Sequence, residues 1–216
     1  MALKLYTYWR SSAAYRVRIA LNHKGLPFES VPKHLLRDGG EQRKADYLAL
    51  NPQGLIPALA DGDNVIPQSL AICEYLEETH PEPPLLPGRA RDRAIVRGMS
   101  LAIACDVHPL NNLPIQAYLR REFGADDAAV NRWVVHWIHR GFIALEAWVA
   151  REAGDGRHCY GSAVTLADVC LVPQAYNARR FGVDLAAYPR LAAITAHLET
   201  RPAFAAARPE AQPDAE

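Results

Sequence analysis

Residues 4–21 read KLYTYWRSSAAYRVRIAL, and a change of pattern inside this stretch decides the fold. Residues 4–8, rich in aromatic and apolar side chains, have the composition of a β-strand. From about residue 13 to residue 24 the pattern is helical, with Val17, Ala20 and Leu21 on one face. Gly25 then supplies a C-terminal stop, with Pro27 just beyond it. Residues 28–31 read as a second strand, so the chain opens with a β-α-β unit. Working outward, a polar stretch around Asp38-Gly39-Gly40 precedes a short helix that leads to Asn51-Pro52. Two strands follow near residues 58–59 and 65–66, joined by the turn Asp61-Gly62-Asp63-Asn64, and a helix over 70–78 closes the unit. The order is β-α-β, helix, β-β, helix, an α/β plan with parallel and antiparallel pairing.

Residues 80–88, HPEPPLLPG, hold four prolines and cannot continue a helix. Beyond them strand signals almost vanish. Residues 91–123 are helical in pattern, with an interruption at Pro109. Asp126 reads as the N-cap of a long helix whose Val130, Trp133, Val134, Trp137, Ile138, Leu145 and Trp148 form a core stripe. Thr165-x-x-Asp168 resembles a capping box opening another helix, and Pro189 opens a last one running to about residue 200. The expected organisation is an α/β domain over 1–80, a proline-rich linker over 81–89, an all-helical domain over 90–207 and a loose Pro/Ala/acid-rich tail over 208–216.

Composition excludes several classes of function. Lys and Arg number 24, as do Asp and Glu, so no basic excess points to nucleic acid. No apolar run of about 18 residues or more points to a membrane span. The start, MALKLYTYWR, lacks the charged, apolar and small-residue segments of a secretory leader, and a cytoplasmic location is expected. Cys73, Cys105, Cys159 and Cys170 are scattered without C-x-x-C or zinc spacing, and each is expected to pack as a small hydrophobe in a reducing compartment. His136 and His139 lie three apart, but no Cys or carboxylate completes a ligand set, so surface or interface positions and no metal are expected.

Three short motifs carry the chemistry. The first strand runs through Arg10-Ser11-Ser12 into a helix, whose N-terminus presents unpaired N–H groups and a partial positive charge. A sulfur placed there is favoured as thiolate, and a serine hydroxyl can donate a hydrogen bond to it. There is no cysteine at this turn, so the sulfur must belong to a ligand; otherwise the serine is a plain N-cap. Gly54-Leu55-Ile56-Pro57-Ala58 suits a cis-proline turn that leaves the Ile56 backbone free to pair with an extended, peptide-like ligand, although an ordinary trans entry into a strand reads the same way. Gln68-Ser69 opens a helix whose N-terminus can receive a carboxylate or simply be capped.

Taken together, these motifs resemble the zeta class of the cytosolic glutathione transferases. The resemblance covers roughly residues 3–205 and rests on RSSAAYRVRIAL from Arg10 to Leu21, on Asn51-Pro52 to Pro57, on Gln68-Ser69-Leu70-Ala71-Ile72 and on Leu171-Val172-Pro173-Gln174. It implies a thioredoxin-like N-terminal domain, an all-α C-terminal domain, a cytoplasmic homodimer and reduced glutathione as cofactor. Members of the class are maleylacetoacetate isomerases of tyrosine degradation or maleylpyruvate isomerases of bacterial aromatic catabolism. By the same resemblance Ser11 stabilises the glutathione thiolate and Ser12 lines the helix end. His34 and Gln42 approach glutathione, Ile56 pairs with its cysteinyl backbone, and Gln68 and Ser69 hold its γ-glutamyl end. At the kink Cys105-Asp106-Val107-His108-Pro109-Leu110-Asn111-Asn112, His108 and Asn112 match ligand-facing positions. Arg10 and Arg180 match cationic positions suited to a dicarboxylate substrate, because a guanidinium binds carboxylate as a fork. One departure stands out: the class usually reads Ser-Ser-Cys, and here the third position is Ala13.

The implied activity is cis–trans isomerisation of a maleyl-type dicarboxylate by thiolate addition, bond rotation and elimination. Leu113 and Pro114, both uncharged, follow Asn112 and suit the longer, less polar maleylacetoacetate over maleylpyruvate. The competing enzyme classes are glutathione conjugation and α-haloacid dehalogenation. A silent glutathione- or ligand-binding protein would need none of Arg10, Ser11, Gln68, Ser69 and Arg180. A thiol–disulfide oxidoreductase is disfavoured by the absence of cysteine from Ser11-Ser12-Ala13-Ala14.

Overall fold

Alternation along strand β1 (Leu3–Thr7) sends Leu3, Leu5 and Thr7 inward and leaves Lys4 exposed. The computed structural model describes residues 3–216. After β1 the chain enters helix α1 (Ser12–His23), which returns it to β2 (Phe28–Pro32), parallel to β1 with Leu5 opposite Ser30. Two short 3-10 turns, Arg37–Gly39 and Glu41–Arg43, lead to α2 (Ala45–Leu50). Strands β3 (Ala58–Asp61) and β4 (Asn64–Pro67) form a hairpin, and helix α3 (Ser69–Thr79) follows. β3 is antiparallel to β1, with Leu59 opposite Leu5, so the sheet order is β2-β1-β3-β4 and β1 is interior. From Ser12 to Leu21 every residue of α1 is buried, and α1 packs beside α3.

The second set of helices is α4 (Ala90–Ala104), α5 (Leu113–Phe123), α6 (Asp127–Glu152), α7 (Leu166–Arg180) and α8 (Pro189–Glu199). Pro109 lies in a 3-10 turn, His108–Asn111, that separates α4 from α5. Asp126 caps α6 as its sequence position predicts, accepting from the Ala129 N–H at 2.7 Å. The buried stripe of α6 is Val130, Val134, Ile138, Phe142, Leu145 and Val149; Trp133, Trp137 and Trp148, expected in it, are only half-buried at its margin. One reason is space: α4 approaches so closely that a Cβ on Gly98 would lie 2.7 Å from the Trp148 ring. Helix α7 is buried along most of its length, and its capping carboxylate, Asp168, accepts from the backbone N–H groups of Thr165 and Cys159, both at 2.8 Å. Burial raises the pKa of that carboxyl, and the two N–H bonds oppose the rise.

The chain divides into two compact units, one running up to Leu85 and taking back Thr200–Glu216, the other Leu86–Glu199. The C-terminal segment therefore departs from the sequence expectation. Helix α9 (Pro202–Ala207) packs on α1, with Phe204 and Ala207 fully buried. Beyond it, the stretch over 208–216 expected to be loose takes a defined path. Gln212 donates to the carbonyl oxygens of Ala206 and Arg208, Asp214 Oδ2 accepts from the Trp9 N–H at 2.9 Å, and Glu216 pairs with Arg37. Its short, small-residue composition hides contacts that lie far away in sequence. Among the described residues no helix is long and apolar enough to cross a membrane.

A buried ion pair joins three segments of the first unit. The Lys24 ammonium, just past α1, donates to Glu77 Oε2 at 2.8 Å, His80 O at 2.7 Å and Pro83 O at 3.0 Å. All three of its donors are thus used. Glu77 Oε2 also accepts from the Leu85 N–H at 2.8 Å, so the proline-rich stretch is pinned rather than acting as a free spacer. Removing one partner strands the other charge in a site closed to water. Glu77→Ala should cost about 3–5 kcal/mol in urea unfolding, whereas the double variant Lys24→Met/Glu77→Leu should recover much of that loss. Equal losses in the single and double variants would show that the pair is not coupled.

Candidate functional site

Ser11 is the N-cap of α1, and its Oγ accepts from the Ala14 N–H at 3.2 Å. A hydroxyl that accepts from the backbone still has its own hydrogen to donate. Its backbone is fixed on both sides: the Ser11 N–H donates to Tyr8 O at 3.0 Å, and Ser11 O accepts from the Tyr15 N–H at 2.9 Å. Ser12 is the first residue of α1 and is buried, and the Arg10 guanidinium lies 5.2 Å from the centre of the Trp9 ring. The turn as a whole presents a hydroxyl donor and the positive end of a helix.

Arg18 holds this turn from behind, a role that reading the sequence did not assign. It is fully buried and donates from Nε to Ala207 O, from Nη1 to Thr7 Oγ1 and Tyr8 O, and from Nη2 to Trp9 O, over distances of 2.9 to 3.3 Å. Burial pushes its pKa down to about 10, against the opposing pull of the nearby Asp214 carboxylate. A signal was present: residues 13–21 contain no acid and no lysine, yet two arginines sit among residues that read as core.

Ile56 lies beyond the last paired residue of β3, Ala58, and the Ile56–Pro57 peptide is cis, the first of the two conformations that the motif allows. A second cis peptide, Glu82–Pro83, was not foreseen. The loop before Ile56 is anchored through Leu55 O, which accepts from the Tyr47 hydroxyl at 2.7 Å and from Asn51 Nδ2 at 2.8 Å. Burial pushes the Tyr47 pKa up to about 12, so it remains a donor there. Ile56 packs in one cluster with Tyr8, Trp9, Ala14, Tyr47 and Ala58. Gln68 caps α3 with φ 70°, an unfavourable value for a residue with a side chain, and its Nε2 donates to Gln53 Oε1 at 2.8 Å. Ser69, the first residue of α3, is buried, and its Oγ accepts from Arg16 Nη1 at 3.2 Å. The α1 turn, the Ile56 loop and the start of α3 are therefore linked by direct contacts.

His34 and Gln42 lie in the turns after β2. His34 packs edge-on to Tyr8 with ring centres 4.9 Å apart, and its Nδ1 accepts from the N–H groups of Leu36 and Arg37. Gln42 is buried, and its Nε2 donates to Leu35 O at 3.3 Å.

The remaining expected residues belong to the helical unit. His108 Nε2 and Asn112 Nδ2 lie 3.4 Å apart, and Asn112 caps α5 by accepting from the Leu113 N–H at 2.8 Å. Arg180 is exposed in the last turn of α7, its guanidinium 5.8 Å from the centre of the Phe181 ring; its neighbour Arg179 is tied to Glu199 at 2.6 Å. His139 pairs with the Tyr188 hydroxyl, and His136 is exposed against Trp137. Of the cysteines, Cys73, Cys159 and Cys170 are buried, but Cys105 is exposed at the end of α4, where the kink leaves it outside the helix core.

A family model described as the glutathione S-transferase N-terminal domain matches residues 10–79. The chain is 54% identical to a probable maleylacetoacetate isomerase of Vibrio cholerae over 215 residues, covering 100% of this chain and 99% of that protein. It is 49% identical to the maleylpyruvate isomerase of a Ralstonia species, covering 98% and 99%. Among solved structures, the holo form of a zeta-class bacterial maleylpyruvate isomerase superposes with a TM-score of 0.95 at 49% identity, covering 99% of this chain and 100% of the other. A maleylacetoacetate isomerase of Methylobacterium extorquens, solved with malonate and glutathione bound, gives 0.93 at 43% identity, covering 99% of each. With relatives this similar along their whole length, the chain belongs to the glutathione S-transferase family, in its zeta class.

Proposed function

We propose that this chain is a glutathione-dependent cis–trans isomerase of a maleyl-type dicarboxylate, maleylacetoacetate or maleylpyruvate. The observation that carries this is the linked set of three receptors on one unit: the hydroxyl and helix end at Ser11, the unpaired edge at Ile56 and the helix start at Ser69. These fit a tripeptide with a sulfur at its centre and a carboxylate at one end. Ser11 donates its hydroxyl hydrogen to the sulfur, and the first amides of α1, beginning with Ser12, add the field of the helix end. Ile56 pairs along the cysteinyl backbone as an added strand would. Gln68 and Ser69 receive the γ-glutamyl end, and His34 and Gln42 shape the loop beside it. Bound glutathione supplies a thiolate that adds to the conjugated double bond and leaves again once the bond has turned.

The substrate's carboxylates are assigned to guanidinium groups. Arg10, held against Trp9, is one; Arg180, in the exposed last turn of α7, is another. Each can grip a carboxylate through two N–H groups and offset charge developing on the conjugated oxygens. His108 and Asn112, adjacent at the Pro109 turn, are assigned to the ligand side of the helical unit. Full-length relatives named for either isomerisation support the substrate class and leave the two substrates to be compared directly. A cytoplasmic homodimer is the expected state, and light scattering at 1:1 subunit stoichiometry checks the assembly.

Ser11→Ala should lower kcat by about tenfold to a hundredfold with little change in KM for glutathione, the size expected when one charged hydrogen bond to the bound thiolate is lost. Arg180→Ala should instead raise KM for the dicarboxylate. Steady-state rates equal to the parent for both variants would remove these assignments. Free thiol measured before and after many turnovers separates the isomerase from a conjugating enzyme: isomerisation leaves glutathione undiminished, and conjugation consumes one molecule per product.

A further inference from the structure

Two arginines two residues apart on α1 are treated in opposite ways. Arg18 commits Nε, Nη1 and Nη2 to protein oxygens. Arg16 is equally buried, with 1% of its surface exposed, yet among the described residues its one hydrogen bond runs from Nη1 to Ser69 Oγ. Its Nε and Nη2 are buried without a partner. A buried guanidinium with a single neutral acceptor is costly, because the charge has lost water and gained little in return. Such a site is accounted for when an anion comes to rest beside it.

The bond to Ser69 also has a direction. A guanidinium has no acceptor, so Ser69 Oγ must be the acceptor in that contact. The Ser69 hydroxyl hydrogen therefore points away from Arg16 and is available to donate. It stands on the first residue of α3, an eleven-residue helix whose free N–H groups carry the positive end of the dipole. Gln68, held at φ 70° by its bond to Gln53, keeps the chain from entering the helix any earlier.

We propose that Arg16 is a positioning residue for the γ-glutamyl carboxylate: it fixes the Ser69 hydroxyl as a donor and places a buried positive charge behind the carboxylate that this hydroxyl receives. The inference rests on glutathione being the bound tripeptide, and it adds a residue that acts through Ser69. Arg16 thereby makes affinity for glutathione depend on the free carboxylate of its γ-glutamyl residue rather than on the peptide as a whole.

The test compares two ligands by calorimetry: reduced glutathione, and its analogue lacking only that carboxylate, γ-aminobutyryl-cysteinyl-glycine. In the parent protein, loss of the carboxylate should weaken binding by about tenfold to a hundredfold, the range of a charged hydrogen bond. Arg16→Met should shrink that ratio to the one shown by Ser69→Ala, and the double variant should shrink it no further. Arg16→Lys keeps a charge but not the fork, and should give an intermediate ratio even if the methionine variant does not fold. Equal weakening of both ligands by Arg16→Met or Arg16→Lys would mean that Arg16 only supports the fold and would overturn the proposal, as would an unchanged ratio. A parent protein that binds both ligands equally well would refute the role of Arg16 and Ser69 alone. One that binds neither would refute the glutathione assignment itself.

Discussion

The guanidinium of Arg18 is the interaction on which the site depends. A turn between a strand and a helix has backbone groups that neither element can satisfy, and here they lie in the interior, where water cannot serve them. Arg18 collects Tyr8 O and Trp9 O from that turn, Thr7 Oγ1 from the end of β1 and Ala207 O from the end of α9. Asp214 closes the arrangement from the other side by accepting the Trp9 N–H. A cation without such neighbours could not remain charged at this depth; with them it makes one rigid body of strand end, turn and C-terminal segment. Ser11 inherits its position from that body, since its own N–H is bonded to Tyr8 O.

The two serines at the ends of α1 and α3 follow a common logic. Each is an acceptor toward the protein, Ser11 from the Ala14 amide and Ser69 from Arg16. A hydroxyl that accepts one bond from inside keeps its hydrogen to donate outward. Both helix starts therefore present a donor on top of a positive helix end, which suits two different anions, a thiolate and a carboxylate. In the proposed function the Ile56 edge spans the separation of those anions along the tripeptide, with backbone rather than side-chain groups.

How much of this is legible in sequence depends on the range of the interactions. The strands, α1, the hairpin turn at Asp61–Asn64 and the caps at Asp126 and Thr165 follow from local periodicity and short-range hydrogen bonds, and they fall where those signals place them. Ser11, Ile56 and Ser69 are legible for the same reason, since each sits at the boundary of a local element. Arg16, Arg18 and Asp214 are not: Arg16 and Asp214 meet partners 53 and 205 positions away, and Arg18 joins the turn 9 to 11 residues before it to Ala207, 189 positions on. A segment as plain as residues 202–216 carries no periodicity strong enough to announce that it docks on α1. The three tryptophans of α6 mislead in the opposite way: their size suggests the centre of a core, yet the close-packed stripe is built from Val, Ile, Phe and Leu, and the rings take its margin, Trp148 against Gly98.

The placement of the chain's own sulfur completes the physical picture. A thiolate is favoured at a helix N-terminus and disfavoured in an apolar interior. Cys73, Cys159 and Cys170 are buried, and the Cys159 thiol is pushed well up by burial beside the Asp168 carboxylate, which keeps it protonated and unreactive. Cys105 is exposed but stands at the C-terminal end of α4. At the first turn of α1, where a helix end and a hydroxyl favour a thiolate, the residues are Ser11, Ser12 and Ala13. The polypeptide thus keeps its own thiols away from the start of α1, and in the proposed function the sulfur there arrives with glutathione.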